Sequence, residues 1–309
     1  MSDKLICIVG PTASGKTSFA VSLAQRAGGE IISADSMQIY KKMDIGTAKP
    51  DKTEMRGIKH YMIDEISPFE SFSVNEFVIR AKKYIKEIIS KNKIPILVGG
   101  TGLFVSSLID NISFVEAETD PELRKELERK AAEEGNGYLH DMLMKIDPES
   151  AARIHPNNLK RVIRAIEIYK TSGITMTEQN RRSKEEPSPY DLCMMGLNGP
   201  REYIYERINK RVDMMLENGL IREVEELKAL GLDLSYNSMQ GIGYKETFSY
   251  LSGEMTRDEL SETIKRESRR YAKRQMTWFQ RDKRIKWADI EIYDTNEKLT
   301  EFFFNEYKI

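Results

Sequence analysis

Through the amino-terminal third of the chain, compact apolar runs alternate with stretches in which apolar residues recur every three or four positions. Lys4 to Val9, Glu30 to Ser36, His60 to Asp64 and Ile94 to Val98 are short runs rich in β-branched residues and predict strands, the second of them ending in an acid. Between them, Phe19, Ala20, Leu23, Ala24 and Ala27 keep helical spacing. Ser73 is a cap for a helix expected over 74–90, with Phe77, Ala81, Tyr84, Ile85 and Ile88 facing inward. Met37 to Pro50 shows neither period and reads as a loop. Strands alternating with helices predict an α/β fold around a parallel sheet.

From about Val115 to Asp191 the pattern becomes helical, charged and poor in strands. Asp120-Pro121-Glu122 and Asp147-Pro148-Glu149 are helix starts with a cap and a first-turn proline, and Gly135-Asn136-Gly137 is a break. Leu159 to Tyr169 is an amphipathic helix stopped near Gly173. This block, 115–191, is expected to be an all-α insertion dividing a core made of 1–114 and 192–309. The core resumes with a strand at Leu192 to Leu197, followed by helices over 201–219 and 221–230, a loop-to-helix junction at Gly241 to Lys245, and a long basic helix over 257–279.

The 309 residues, 40% apolar and 31% charged, suit a globular protein of about two domains. No run approaches the ~18 apolar residues of a membrane span and no signal peptide precedes the first strand, so a cytoplasmic monomer without a membrane partner is expected. Cys7 and Cys193 lie in apolar runs and read as buried thiols rather than a disulfide or metal site, and His60, His140 and His155 fit no zinc spacing. A net charge of −1 argues against a nucleic-acid partner, but its distribution argues for one. Ten basic residues between Lys265 and Lys286 face only Glu267 and Asp282, so this segment carries +8 and the remainder −9. Such a stripe is an electrostatic footprint for polyanions.

The candidate chemistry centres on Gly10-Pro11-Thr12-Ala13-Ser14-Gly15-Lys16-Thr17, which ends the first strand and opens the first helix. There the glycines let successive N–H groups point inward, Lys16 adds a cation, Thr17 can ligate Mg²⁺, and the helix terminus adds partial positive charge. This is a diphosphate grip, and it predicts a P-loop NTPase-like core. The loop alone fits the ATP of a small-molecule or nucleoside kinase equally well. The strand at 94–98 ends in Gly99-Gly100-Thr101-Gly102, where many nucleotide hydrolases carry a Mg²⁺-binding Asp. Glycines at that end allow a second substrate close to the backbone, which favours a transferase.

Together these segments resemble the tRNA dimethylallyltransferase (isopentenyltransferase) family over nearly the whole length. The resemblance is carried by Gly10 to Thr17, Ser33 to Gln38, Asp44 to Pro50, Gly99 to Leu103, His155 to Asn158 with Lys160, Arg161 and Arg164, Gly243 to Glu246, and Tyr271 to Gln275 with Thr277 to Phe279. Phe104 departs from the family's usual Tyr, removing a hydroxyl.

The resemblance implies transfer of a dimethylallyl group from dimethylallyl diphosphate to N6 of the tRNA adenosine at position 37, beside the anticodon, with release of diphosphate. In that reaction Lys16, the loop amides and Mg²⁺ on Thr17 would neutralise charge growing on the leaving group, with Arg211 as a further diphosphate ligand. Asp35 is the candidate base, a helix cap or second Mg²⁺ ligand being the plainer alternatives, and Thr101 would hold the amine or the bridging oxygen in line. The target base must leave its stack. Ser36, Met37 and Gln38 are then expected to read the adenine together with Asp35. Tyr244 and Lys245, the helix face of Lys160, Arg161 and Arg164, and Arg270, Lys273 and Arg274 are expected to bind the anticodon stem-loop. The aromatics of the basic helix, Tyr271, Trp278 and Phe279, read as core, and His155 as a turn residue.

Overall fold

The computed structural model describes residues 3–112, 120–185 and 187–308. The chain divides into two compact units, one of Met1–Leu108 with Pro189–Ile309 and one of Ile109–Ser188. The expected boundary between 114 and 115 lies outside the described residues.

The first unit begins with β1 (Asp3–Val9), α1 (Lys16–Ala27), β2 (Gly29–Ser33), the single turn α2 (Lys52–Met55), β3 (His60–Tyr61), α3 (Val74–Ser90), β4 (Ile94–Gly99) and α4 (Gly102–Ile109). Ser73 caps α3 in a reciprocal box with Glu76, which sets its start where expected. One expectation is corrected and one element is new. The second strand stops at Ser33, so Asp35 lies two residues beyond it, because its Oδ1 accepts the amides of Met37 (2.8 Å) and Gln38 (3.3 Å) and turns the chain. The glycines after β4 open a helix, α4, that the sequence pattern did not announce.

The second unit contains α5 (Pro121–Glu134), α6 (Asn136–Ile146), α7 (Pro148–Arg153), α8 (Leu159–Ser172) and α9 (Met176–Glu185) around a core of Leu127, Leu139, Leu143, Val162 and Ile166. Asp120 and Asp147 cap α5 and α7 through the amides of Leu123 and Ser150, and Gly173 ends α8 in a left-handed turn. Only Gly135 breaks the chain between α5 and α6, since Asn136 and Gly137 already belong to the first turn of α6.

The first unit resumes with β5 (Tyr190–Asn198), α10 (Arg201–Glu217), α11 (Leu220–Ala229), α12 (Tyr244–Leu251), α13 (Arg257–Phe279), β6 (Lys286–Asp289) and α14 (Asn296–Tyr307). Its six strands are all parallel, in the order β3-β2-β4-β1-β5-β6. Ile6 of β1 sits between Ile96 and Cys193, and Ile8, Phe19, Leu23, Val98, Met195 and Leu197 fill the core around it. Strands buried on both faces by crossover helices explain why they read as unbroken apolar runs. β6 escaped the sequence pattern because only Ala288 of its four residues is buried. Cys7 and Cys193 are buried free thiols on neighbouring strands. Phe104 stacks on Phe77 at 4.4 Å and meets Phe72 edge-on, so its ring acts by packing, without need of a hydroxyl.

No helix of the described residues is long and apolar enough to cross a membrane. Parallel topology brings the carboxyl ends of β1, β2 and β4 to one edge of the sheet, the place where ligands of such folds bind.

Candidate active site

At that edge the chain leaves β1 through Gly10, whose φ of 143° and contact with the Leu197 carbonyl exclude any Cβ. Ala13 is left-handed at φ 63°, a strained position for a residue with a side chain, and Gly15 caps α1 at φ 84°. The amide of Ser14 donates to the Pro11 carbonyl, and the Lys16 ammonium folds over the loop to donate to the same oxygen at 2.6 Å. The segment has the strand, loop and helix order expected, but two of its amides, those of Thr12 and Ser14, are taken by Gln275 and the Pro11 carbonyl rather than left pointing inward.

Lys16, Arg211 and Asp35 meet above it. Burial, reinforced by the Arg211 cation and opposed by the Asp35 carboxylate, brings the Lys16 ammonium down to about 7. Burial also pulls the Arg211 guanidinium below its ordinary value, with Asp35 and Glu54 working against the shift, and it remains charged. Arg211 reaches this point from α10 and donates from Nη2 to the Thr47 carbonyl at 3.4 Å. Oδ2 of Asp35 takes no hydrogen bond among the described residues. One oxygen thus shapes the turn, and the residue also lines the cleft.

Thr101 ties β4 to the Asp35 turn. Its amide donates to the Ala34 carbonyl and its Oγ1 accepts the Ser36 amide at 3.2 Å. Gly99 and Gly100 line the cleft, and all three glycines beside Thr101 are also required by the protein's own packing. A Cβ on Gly99 would strike the Ala34 carbonyl, one on Gly100 the Gln275 amide, and one on Gly102 the indole of Trp278. Gln38 is likewise engaged: Oε1 accepts from the Ser33 hydroxyl and Nε2 donates to the carbonyls of Thr47 and Ala48. Its amide holds the loop 47–48 against β2 rather than standing free for an adenine edge.

Three adjoining cavities share these groups. An inner one is lined by Thr12, Lys16, Thr17, Asp35, Gln38, Arg211, Tyr271 and Gln275. A wider one joins Asp35, Ser36, Met37 and Arg211 to the apolar side chains of Ile208, Val212, Met215, Ile242 and Ile264, with Lys245 and Arg274 on its wall. A third, on the side of Thr17, is lined by Lys16, Arg207, Lys210 and Arg211. Among the described residues no group of three His, Cys, Asp or Glu could hold a metal. Thr17, lining the inner and third cavities, offers a single hydroxyl, which suits a cation that takes its other ligands from phosphates and water.

Four residues of the site were not singled out as such by the sequence. Gln275 of α13 accepts the Thr12 amide through Oε1 (2.8 Å) and donates to the Gly100 carbonyl (2.9 Å), joining the phosphate loop to the end of β4. Tyr271, one turn earlier, lines the cleft instead of packing as core, its hydroxyl raised to about 12 by burial and the Asp35 charge against hydrogen bonds from Thr101 and Gln275. Arg207 donates to the Ala13 carbonyl at 2.8 Å; its i, i+4 spacing from Arg211 on a helix was the available signal. Glu223 is the fourth.

The expected RNA contacts separate. Tyr244 is corrected: it is 1% exposed, its ring against Gly46 and its hydroxyl donated to Glu223 at 2.6 Å, so it lines the wider cavity as a buried, fixed side chain rather than a surface contact for RNA. Lys245 lies 3.5 Å from Glu246. On α13, Arg270 pairs with Glu267 at 2.7 Å, Arg269 with Asn209 and Lys265 with Asp213, whereas Lys273 and Arg274 make no ion pair among the described residues. Phe279 is core and Trp278 is 39% exposed. In the second unit Lys160 and Arg161 stand exposed on the first turn of α8, while Arg164 is bound to the buried Glu167 at 2.6 Å, which Arg124 also grips with two nitrogens. His155 accepts the Asn157 amide, as a turn residue does.

Residues 38–282 match the family model described as IPP transferase. The chain is 54% identical over 297 residues to the tRNA dimethylallyltransferase of Acetivibrio thermocellus, covering 96% of this chain and 95% of that one. The crystal structure of the full-length tRNA isopentenylpyrophosphate transferase from Bacillus halodurans superposes with a TM-score of 0.72 at 45% identity, covering 99% of this chain and 98% of the other. A eukaryotic dimethylallyltransferase, described as acting on tRNA, superposes with a TM-score of 0.83 at 28% identity, over 97% of this chain and 78% of its own.

Proposed function

Because this chain belongs to the IPP transferase family and is a tRNA-prenylating enzyme, we propose that its donor is dimethylallyl diphosphate and its acceptor is N6 of the adenosine at position 37. The observation that carries this reading is that Asp35, Lys16 and Arg211 line one cleft at the carboxyl edge of a parallel sheet.

The loop Gly10 to Thr17 with Lys16, Arg207 and Arg211 holds the diphosphate, and the apolar wall of Ile208, Val212, Met215 and Ile264 receives the uncharged groups. The N6 lone pair attacks the allylic carbon as its C–O bond breaks, and the bond's electron pair leaves with the diphosphate. The N6 proton passes to the free oxygen of Asp35. Fixed cations stabilise charge that appears only as the bond breaks, so they lower the barrier and not merely the ground state. Mg²⁺ held by the Thr17 hydroxyl and the diphosphate would supply further charge neutralisation there. Thr101 acts through the Ser36 amide, keeping the Asp35 turn in place. Lys273 and Arg274, with Lys160 and Arg161 in the second unit, supply phosphate contacts to the anticodon stem-loop. We assign the enzyme to the cytoplasm as a monomer.

Incubation with labelled dimethylallyl diphosphate and unmodified tRNA tests the reading. Label is expected in tRNA at adenosine 37. No label in any tRNA, with transfer of the terminal phosphoryl group of ATP to a small molecule, would overturn it.

A further inference from the structure

The loop 44–48 forms one wall of the cleft, and what holds it there is a carboxylate from elsewhere in the chain. Glu223, on the first turn of α11, accepts the backbone amides of Asp44 (2.8 Å) and Ile45 (2.7 Å) on Oε2 and of Gly46 (3.1 Å) on Oε1. Oε1 also accepts the Tyr244 hydroxyl at 2.6 Å. Three successive amides pointing inward form an anion-binding nest, here filled by the protein's own side chain. The Tyr244 ring closes the other side: a Cβ on Gly46 would lie 2.5 Å from it. Burial and the Glu223 charge raise the Tyr244 hydroxyl well above its ordinary value, so it stays a donor.

The carbonyls of Asp44 and Ile45 stay within the loop, accepting the amides of Lys49 and Ala48, whereas those of Thr47 and Ala48 turn to residues of the cleft. The Thr47 carbonyl accepts from Arg211 and from Gln38, and the Ala48 carbonyl from Gln38. We infer that Glu223 is a positioning residue for prenyl transfer: by filling the amide nest of residues 44–46 it sets the Thr47 carbonyl that orients Arg211 over the diphosphate. Glu223 itself touches no substrate. The inference rests on the cleft being the donor site.

The test is a double-mutant cycle between Glu223→Gln and Arg211→Ala, read as the KM for dimethylallyl diphosphate with tRNA saturating. A glutamine keeps the shape but presents an N–H₂ to backbone N–H donors, so one side of the nest is lost. Glu223→Gln is expected to raise the donor KM about tenfold, with tRNA affinity within about twofold of the parent. In the Arg211→Ala background the same change should add no more than about twofold, because it acts through the residue already removed. Additive effects, or a Glu223→Gln enzyme with an unchanged donor KM, would overturn the inference. If Glu223→Gln does not fold, Gly46→Ala displaces the same loop against Tyr244 and is expected to give the same KM pattern; an unchanged KM there would also overturn it. A parent enzyme that transfers no prenyl group would instead defeat the functional reading, a result distinct from either.

Discussion

Asp35 divides its two oxygens between the turn it holds and the proton transfer proposed for it, and its neighbours show how little room the division leaves. Oδ1 caps the turn through Met37 and Gln38, so an asparagine can keep the fold while losing the charge. Asp35→Asn is expected to lower single-turnover rates by about 10²–10⁴, the usual contribution of a general base, while tRNA affinity by filter binding stays within about threefold. A large loss of affinity with little loss of rate would remove the base role. Lys16 carries the second prediction at this scale. Its ammonium titrates at about 7 in the free cleft, pushed down by burial and Arg211 against Asp35. A diphosphate raises that value by adding negative charge, so binding above neutrality takes up a proton. Donor affinity should therefore fall as pH rises from about 7 to 9, by at most about tenfold per unit. Calorimetry in two buffers of different ionisation enthalpy measures the uptake; none at pH 8 would refute it.

At the scale of elements, α13 works on two faces. Tyr271 and Gln275, one turn apart, line the cleft, and Gln275 grips Thr12 and Gly100, while Lys273 and Arg274 remain exposed. The basic run is less positive in effect than its sequence suggests, because Lys265, Arg269 and Arg270 are each occupied by a neighbour. The same sorting applies to α8. Arg164 is bound to Glu167, so reversing its charge would place like charges together at a buried carboxylate and confound any binding result. Lys160 and Arg161 are the cleaner test. Lys160→Glu with Arg161→Glu should weaken tRNA binding and reduce the slope of log affinity against log salt by about two, one for each phosphate left without its cation. An unchanged slope between 50 and 200 mM salt, roughly the range in which such electrostatic binding is read, would take α8 out of the RNA interface.

For the whole molecule, buried carboxylates stabilise each unit from within, through the partners that surround them. Burial alone would raise Glu30, Asp147 and Glu167, yet Lys93, Tyr61 and Lys91 around the first, Thr177 and Ser150 around the second, and Arg124 and Arg164 around the third hold each below its usual range. Groups with depressed folded values bind protons more weakly folded than unfolded. Their stabilisation is present above the ordinary carboxylate range and is lost as pH falls through the folded values. Urea midpoints should stay level from pH 7 to about 5 and then decline toward pH 3; a flat profile would show these pairs to contribute nothing.

The sequence by itself determined what a few neighbouring residues can settle. The phosphate loop, the caps at Ser73, Asp120 and Asp147, the stop at Gly173 and the long helix over 257–279 are each set by residues within a turn or two of one another. Their signals are local, and so they were legible. Strand ends and engaged side chains were not. Asp35 left its strand because of amides it captures after the turn, and β6 had too few buried positions to show a period. The tertiary structure alone decided which distant groups meet: Gln275 with Thr12, Arg207 with Ala13, Glu223 with the amides of 44–46. Such pairs are separated by well over a hundred residues and carry no spacing pattern. They exist because parallel strands, joined by crossover helices, gather their carboxyl ends at one edge of the sheet, bringing together residues that the order of the chain keeps apart.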